Sequence, residues 1–433
     1  MEDYALMGKR PTRKTIIAQN LLTFDDLIKE SGLTYFNLEP RSIKKLLRSF
    51  SSQKDRRQKH KIKYSIEALF VIVILAKLTH FGHNCCEIAG FAKAYSGVLI
   101  EAGVLKDDGN IPSHDTIMRF LMGLDTKWIR SLLVRFKEFY KEIQRMVSEK
   151  KLYTHYAIDG KEFRGSGRKK GTKKPKRNTA TLNVYDSSSG VCLYSITIDE
   201  KTNEIPVAQE KLNQLDLRNT IATFDALHCQ RKTAEIIRKR KGDYVLCAKE
   251  NQDSLKEELR SSFDERKSKQ STPVFFPRDE RKFWVITLGN GYIGEDWPDQ
   301  KLYIKMISST TGKEADAMYF ITSLSDPIAA IEAIEVRWTV ENALHKKKDF
   351  YCGEDRFSST KKSAIESMAY FNNLTVAITQ LMQIIKQEPR LQTVYQEFAA
   401  NPIEMFEKAM EIIYHPDKFI ALLKQKLEEQ KAS

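Results

Sequence analysis

Three acids stand out by the residues around them. Asp159 closes the apolar run Ala157-Ile158 just before Gly160, and Asp225 closes Ile221-Ala222-Thr223-Phe224. In an open α/β sheet, ligands and reacting groups gather at strand ends, so two strand-end aspartates can converge. Each taken singly also reads as an ordinary turn residue. Glu341 falls in a stretch of helical periodicity, where Arg337, Glu341, His345 and Lys348 share one helical face. That stripe reads equally as a solvated charged face. Three carboxylates brought together repel strongly unless cations neutralise them. Hard oxygen donors suit Mg²⁺, which keeps waters and takes substrate phosphates. Two such ions about 4 Å apart activate a water or a 3′-hydroxyl and stabilise the leaving oxygen in phosphoryl transfer. Mn²⁺ accepts the same oxygen ligands and is expected to substitute.

These acids need elements to hold them. The alternation over 153–159, 179–185 and 191–198 predicts three strands, the last two joined by a turn at 186–190. A helix around 206–215, a buried strand at 219–225, a helix at 230–241, a strand at 243–247 and a helix at 253–266 follow. This order argues for a mixed α/β sheet. Residues 267–280 read as a loop, and 283–288, 301–308 and 318–323 as β-rich. From 327 to 350 the pattern is helical, and most of the chain beyond 350 is helical too. Upstream, 64–150 reads as all helix. Ser113 is a helix N-cap, and Ile117, Phe120, Leu121 and Leu124 form one apolar stripe behind it. The short helices there fit a helix-turn-helix presenting Ser113, His114, Thr116 and Arg119 to a groove, and fit an ordinary helical bundle as well.

Charge points to a polyanionic partner. The 433 residues carry 71 Lys and Arg against 57 Asp and Glu, a net charge of +14. Residues 41–63 hold ten cations against the single acid Asp55. Residues 161–178 hold nine against Glu162, and glycine or proline at 165, 167, 171 and 175 denies that segment regular structure. Because the segment leaves the first candidate catalytic strand, Lys161, Arg164, Arg168, Lys169, Lys170, Lys173 and Lys174 are candidate DNA contacts; a solvated linker is the alternative. Other classes fall away. With 41% hydrophobic and 10% aromatic residues, the chain can bury a core. The apolar run 68–76 is under half of the ~20 residues that span a bilayer, and the N-terminus has no signal-peptide core. Six cysteines without a CxxC spacing suggest reduced thiols and a cytoplasmic setting, with a zinc site at His83, Cys85 and Cys86 the weaker reading.

The motifs around the acids carry a family likeness. They are Ala157-Ile158-Asp159-Gly160-Lys161 with Arg164-Gly165-Ser166; Lys201-Thr202-Asn203-Glu204-Ile205; Asp225-Ala226-Leu227-His228-Cys229-Gln230; and Gly242-Asp243-Tyr244 with Asn251-Gln252. Further on come Arg337-Trp338-Thr339-Val340-Glu341-Asn342 with Leu344-His345, then Gly353-Glu354-Asp355-Arg356, while Ile111 to Thr116 matches upstream. Over about residues 41–380 the sequence resembles the DDE transposases of bacterial insertion sequences, in the group that includes the H-repeat-associated proteins.

The resemblance implies an α/β ribonuclease H-like catalytic core at 151–380 with a β-rich insertion at about 267–326. An all-helical accessory domain at 64–150 precedes it, behind a basic arm at 1–63, and a helical segment at 381–433 follows. It implies Asp159, Asp225 and Glu341 as catalytic acids holding two Mg²⁺ ions. Arg337 and Lys348 match the phosphate-binding positions of a Tyr, Arg, Glu, Lys signature on the last helix; its Tyr position is Ile334 here. The implied partners are double-stranded DNA, as terminal inverted repeats and as target, with a dimer on DNA, no membrane, and a cytoplasmic, nucleoid-associated location in a bacterium. Two rival readings remain: a host-adopted DNA-binding protein, and a metal-dependent nuclease that does not join strands.

Overall fold

A computed structural model describes residues 19–38, 42–45, 62–147, 153–167, 177–198, 204–264, 272–278, 281–289, 297–308, 313, 316–340 and 344–432. Glu341 and the loop cations Arg168, Lys169, Lys170, Lys173 and Lys174 lie outside these residues, as does most of the basic stretch 41–63.

The helices before the sheet are α1 (Gln19–Ser31), α2 (Ile66–Leu78), α3 (Cys85–Ala94), α4 (Ser96–Glu101), α5 (His114–Gly123) and α6 (Thr126–Val147). Their starts follow from capping. The hydroxyls of Ser65 and Ser113 accept from the backbone N–H of Ala68 and Thr116, and the Asn84 side chain accepts from Cys86 and Glu87. From Ala68 to Leu78 every residue of α2 is buried, including Lys77, whose Nζ donates to the carbonyls of Gly82 and Cys352. None of the described helices is long and apolar enough to cross a membrane.

Next come β1 (Thr154–Phe163), β2 (Thr179–Asp186), β3 (Val191–Thr197), α7 (Glu204–Gln214), β4 (Thr220–Phe224), α8 (Arg231–Lys239), β5 (Asp243–Ala248) and α9 (Asp253–Ser262). The expected alternation is present, with two differences. β1 continues past Asp159 to Phe163, because 160–163 pair with 179–182 of β2. Asp159 is therefore a mid-strand residue. Helix α7 starts at Glu204 rather than at Pro206, since proline is tolerated in a first turn.

β6 (Val274–Pro277), β7 (Arg281–Thr287), β8 (Leu302–Ser308) and β9 (Met318–Thr322) follow, then α10 (Pro327–Val340) and α11 (Lys346–Phe350). β6 corrects the loop expected across 267–280: Val274 to Pro277 pair with 282–285 of β7. The β-rich stretch does not make a sheet of its own. All nine strands form one sheet in the order β3-β2-β1-β4-β5-β9-β8-β7-β6. β1, β4 and β5 are parallel, and β2, β3 and β6 to β9 are joined by antiparallel pairings.

The chain ends in α12 (Lys362–Ile385), α13 (Leu391–Ala400), α14 (Pro402–Tyr414) and α15 (Pro416–Ala432). Helix α12 is an axis, buried along most of its length. Helices α2, α5 and α6 pack on it, as does β3, and α15 packs on α1. One apolar core joins these early and late helices to one face of the sheet. Helix α10 covers the other face, against Phe283, Val285, Ile304 and Phe320.

Candidate functional site

The pairing of β1 with β4 brings the two aspartates together. They run parallel with Ile158 opposite Phe224, so Asp159 and Asp225 occupy the next step on adjacent strands, about 4.8 Å apart in backbone. Alternation along a strand turns both to the face covered by α10, where Ala157 packs on Val340 and Leu344. They line a cavity of about 220 Å³ together with Cys247, Lys249, Phe320, Arg337 and Trp338. Asp159 is 24% exposed and Asp225 53%.

Arg337, His345 and Lys348 of the expected stripe meet the sheet, and they step across three neighbouring strands. Arg337, on α10, donates from a terminal guanidinium nitrogen to Asp225 Oδ1 at 3.2 Å, beyond β4. His345 Nδ1 lies 3.7 Å from Asp159 Oδ2, on β1. Burial, with the nearby Lys348 and Lys161 charges, pushes the His345 imidazole down to about 3. It is neutral at physiological pH, so this contact is not an ion pair. Lys348, on α11, reaches β2: its Nζ donates to Asn183 Oδ1 at 3.0 Å, and Asn183 is the register partner of Asp159.

Lys348 corrects the phosphate-binding expectation. Its side chain is wholly buried and its Nζ lies 3.6 Å from Glu354 Oε1. Lys161 is turned the same way, 9% exposed, paired with Asp349 and 3.5 Å from Glu354 Oε2. Asn372 Nδ2 donates to Glu354 Oε1 at 3.0 Å. Burial pushes the Glu354 carboxyl up, but Lys348 and Lys161 outweigh it, and the net effect holds the carboxylate below its usual range. An ammonium sealed in this way cannot meet a phosphate. These two lysines hold the floor of the site together.

Arg164 is 80% exposed and lies 3.7 Å from Asp355. Its neighbour Gly165 lies so near the 355–357 backbone that an added Cβ would sit 2.4 Å from the Asp355 carbonyl oxygen. This close approach ties the exit of β1 to the Gly353–Arg356 motif. His114 and Arg119 are exposed on α5, while Ile117, Phe120 and Leu121 turn inward. Arg119 Nε donates to the Asp115 carbonyl at 3.2 Å, and His114 Nε2 lies 3.4 Å from Asp115. Ile334, at the signature's Tyr position, is 1% exposed in the apolar core under α10.

Sequence reasoning missed Lys249, an exposed cation at the cavity. The available signal was its place just beyond the apolar strand β5, parallel to β4. Cys247 also lines the cavity, but burial pushes its thiol up to about 11, so it is no nucleophile. None of the six cysteines is in a disulfide, and five are buried. His83 Nδ1 is bound to Glu87 at 2.7 Å.

Two carboxylates on adjacent strands, opening to one cavity with a guanidinium already drawn to one of them, fit hard divalent cations. No group of three or more His, Cys, Asp or Glu residues placed to hold a metal occurs among the described residues.

Residues 150–378 match the family described as Transposase DDE domain. The chain belongs to the DDE transposases. Residues 47–137 match the companion family described as DDE_Tnp_1-associated. The chain is 25% identical over 374 residues to "Putative transposase YncI" of Escherichia coli O157:H7, covering 80% of this chain and 90% of that protein. It is 26% identical over 373 residues to "H repeat-associated putative transposase YhhI" of Escherichia coli K12, covering 79% and 92%. Among solved structures, a piggyBac transposase synaptic complex with hairpin DNA aligns over 98% of this chain and 85% of that one, at 13% identity and a TM-score of 0.37. That likeness is too distant to inform the fold.

Proposed function

We propose that this DDE transposase binds the terminal inverted repeats of its element, hydrolyses a phosphodiester at each end and joins the freed 3′-hydroxyl to target DNA. The observation that carries the reading is the placement of Asp159 and Asp225 on adjacent parallel strands at one cavity. The order β3-β2-β1-β4-β5, with β2 antiparallel and β4 and β5 parallel to β1, supports a ribonuclease H-like core.

Asp159 and Asp225 would hold two Mg²⁺ ions, with Glu341 as the third acid. When bound, the ions supply Lewis-acid activation of a water or 3′-hydroxyl and neutralise the scissile phosphate. The protein's part is electrostatic and positional. Arg337 and Lys249 at the cavity attract and orient the phosphate. Neutral His345 limits the lateral freedom of Asp159 without adding charge. Arg164 and the loop cations Arg168, Lys169, Lys170, Lys173 and Lys174 track the DNA backbone. His114 and Arg119, exposed on a rigid helix, read the element end. Bringing two ends together calls for a dimer on DNA, in the nucleoid of a bacterial cytoplasm.

The test is a strand-transfer reaction with the gene's own flanking DNA, Mg²⁺ and a supercoiled target. Cleavage and joining are expected, with Mn²⁺ in place of Mg²⁺ also active and Ca²⁺ supporting binding more than chemistry. Cutting without joining would make it a nuclease, and binding without cutting an adopted DNA-binding protein.

A further inference from the structure

On the face of β1 opposite Asp159, a second acid lies directly beneath the site. A Cβ added to Gly160 would sit 2.6 Å from Glu204 Oε2 and 2.7 Å from both its Oε1 and its Cδ. The Glu204 carboxylate therefore lies flat against the Gly160 Cα, in space that only glycine leaves open. Glu204 is the first residue of α7. Its Oε1 is 3.1 Å from His228 Nε2. His228 is 1% exposed, its ring packs on Phe224 at 5.3 Å, and its Nδ1 is buried with no hydrogen-bond partner among the described residues. The turn from Ala226 to His228 follows Asp225, whose carbonyl accepts from the His228 N–H at 2.9 Å. One carboxylate thus touches the residue after Asp159 and the histidine three residues after Asp225.

We propose that Glu204 and His228 form a brace that sets the spacing of Asp159 and Asp225, and that Glu204 is a positioning residue for the metal pair. The inference rests on the proposed metal site. Glu204 approaches from the α7 side while both aspartates face α10, so it acts through the strands. Without the brace, only the β1–β4 ladder, which ends at Ile158 and Phe224, sets the spacing, and the two carboxylates just beyond it are held less tightly. Outer partners of metal ligands typically contribute about 10–100-fold to metal affinity. Gly160 and Glu204 act as one unit, because a side chain at 160 displaces the carboxylate.

The experiment measures Mn²⁺ binding to the full-length protein without DNA, by calorimetry and by the Mn²⁺ spin-resonance signal, alongside thermal unfolding without metal. Asp225→Asn is the reference. Glu204→Ala and Gly160→Ala are each expected to raise the Mn²⁺ Kd about 10–100-fold. Their double variant should be no worse than Glu204→Ala, because both changes remove one contact. Glu204→Gln keeps the shape and an acceptor for His228 and should restore binding to within about threefold, less than the tenfold of 1.4 kcal/mol. Should Glu204→Ala fail to fold, His228→Phe, which keeps the ring and removes the nitrogen facing Glu204, serves with the same loss expected. Wild-type Mn²⁺ affinity in Glu204→Ala, with only a lowered melting temperature, would make the pair merely structural and overturn the brace. If Asp225→Asn also binds Mn²⁺ as the wild type does, the metal-site reading itself falls, and the brace with it.

Discussion

Arg337 and Lys348 come from the same basic stripe and end in opposite environments. Arg337 stands at the open corner of the cavity, on an aspartate that is half exposed. Lys348 is sealed beside the site, on the Asp159 face of the sheet, with Asn183 and Glu354 as partners. The difference is where each side chain meets the sheet: Arg337 reaches Asp225 at the open end of β4, whereas Lys348 reaches Asn183 in the middle of β2. A cation at an open strand end is available to a substrate phosphate. One enclosed beside a buried carboxylate is a structural counter-charge, costly to remove because it leaves the other charge unpaired. Spacing along a helix says which residues share a face, not what the face meets.

The largest expected effect falls on the open side. Asp159→Asn and Asp225→Asn should each lower end cleavage by at least about 10²–10³-fold, the size of losing one preorganised charge contact in an active site. DNA binding should survive, since each change removes a negative charge near phosphates. Non-additive losses in the double variant would show that the two act as one unit; additive losses would separate them.

On the sealed side the expected effect is on stability. Lys348→Ala should destabilise the fold by about 3–5 kcal/mol, as for removal of one partner of a buried ion pair. Arg337→Ala should cost under about 1 kcal/mol, the range of exposed pairs, while slowing cleavage. Denaturant unfolding of both variants tests this, and a stable Lys348→Ala that loses only DNA affinity would reverse the assignment.

A third effect depends on pH. Burial pushes the His155 imidazole in β1 down to about 4, against about 6.5 in an unfolded chain. The unfolded state therefore takes up a proton first as pH falls. The stability His155 contributes is complete above about pH 6.5 and declines toward pH 4, by roughly 2 kcal/mol at pH 5. Melting temperatures across this window should fall less steeply in His155→Gln.

The smallest effect belongs to Arg164, 80% exposed. Arg164→Ala should change stability by no more than about 0.5 kcal/mol. It should lessen the slope of log K against log salt for DNA by about 0.9 if it neutralises one phosphate. An unchanged slope would remove Arg164 from the DNA path.

The two aspartates were legible because each follows an apolar run that makes a buried strand, and parallel pairing then sets them side by side. The helix start at Ser113 was legible through its cap. Strand β6 was not, because Val274-Phe275-Phe276-Pro277 is short, ends in proline and gains its order from β7. The pairing of Lys161 with Glu354 and of Lys348 with Asn183 was hidden because each pair lies far apart in sequence. The contact of Gly160 with Glu204 was hidden for the same reason: it exists only once α7 is docked beneath β1.

The most direct measurement is cleavage of the gene's own flanking DNA by the wild-type protein and by Asp225→Asn, with Mg²⁺ and with a chelator. The account predicts Mg²⁺-dependent cuts at the element ends by the wild type, none with chelator, and end binding without cutting by Asp225→Asn. Full cleavage by Asp225→Asn would contradict it.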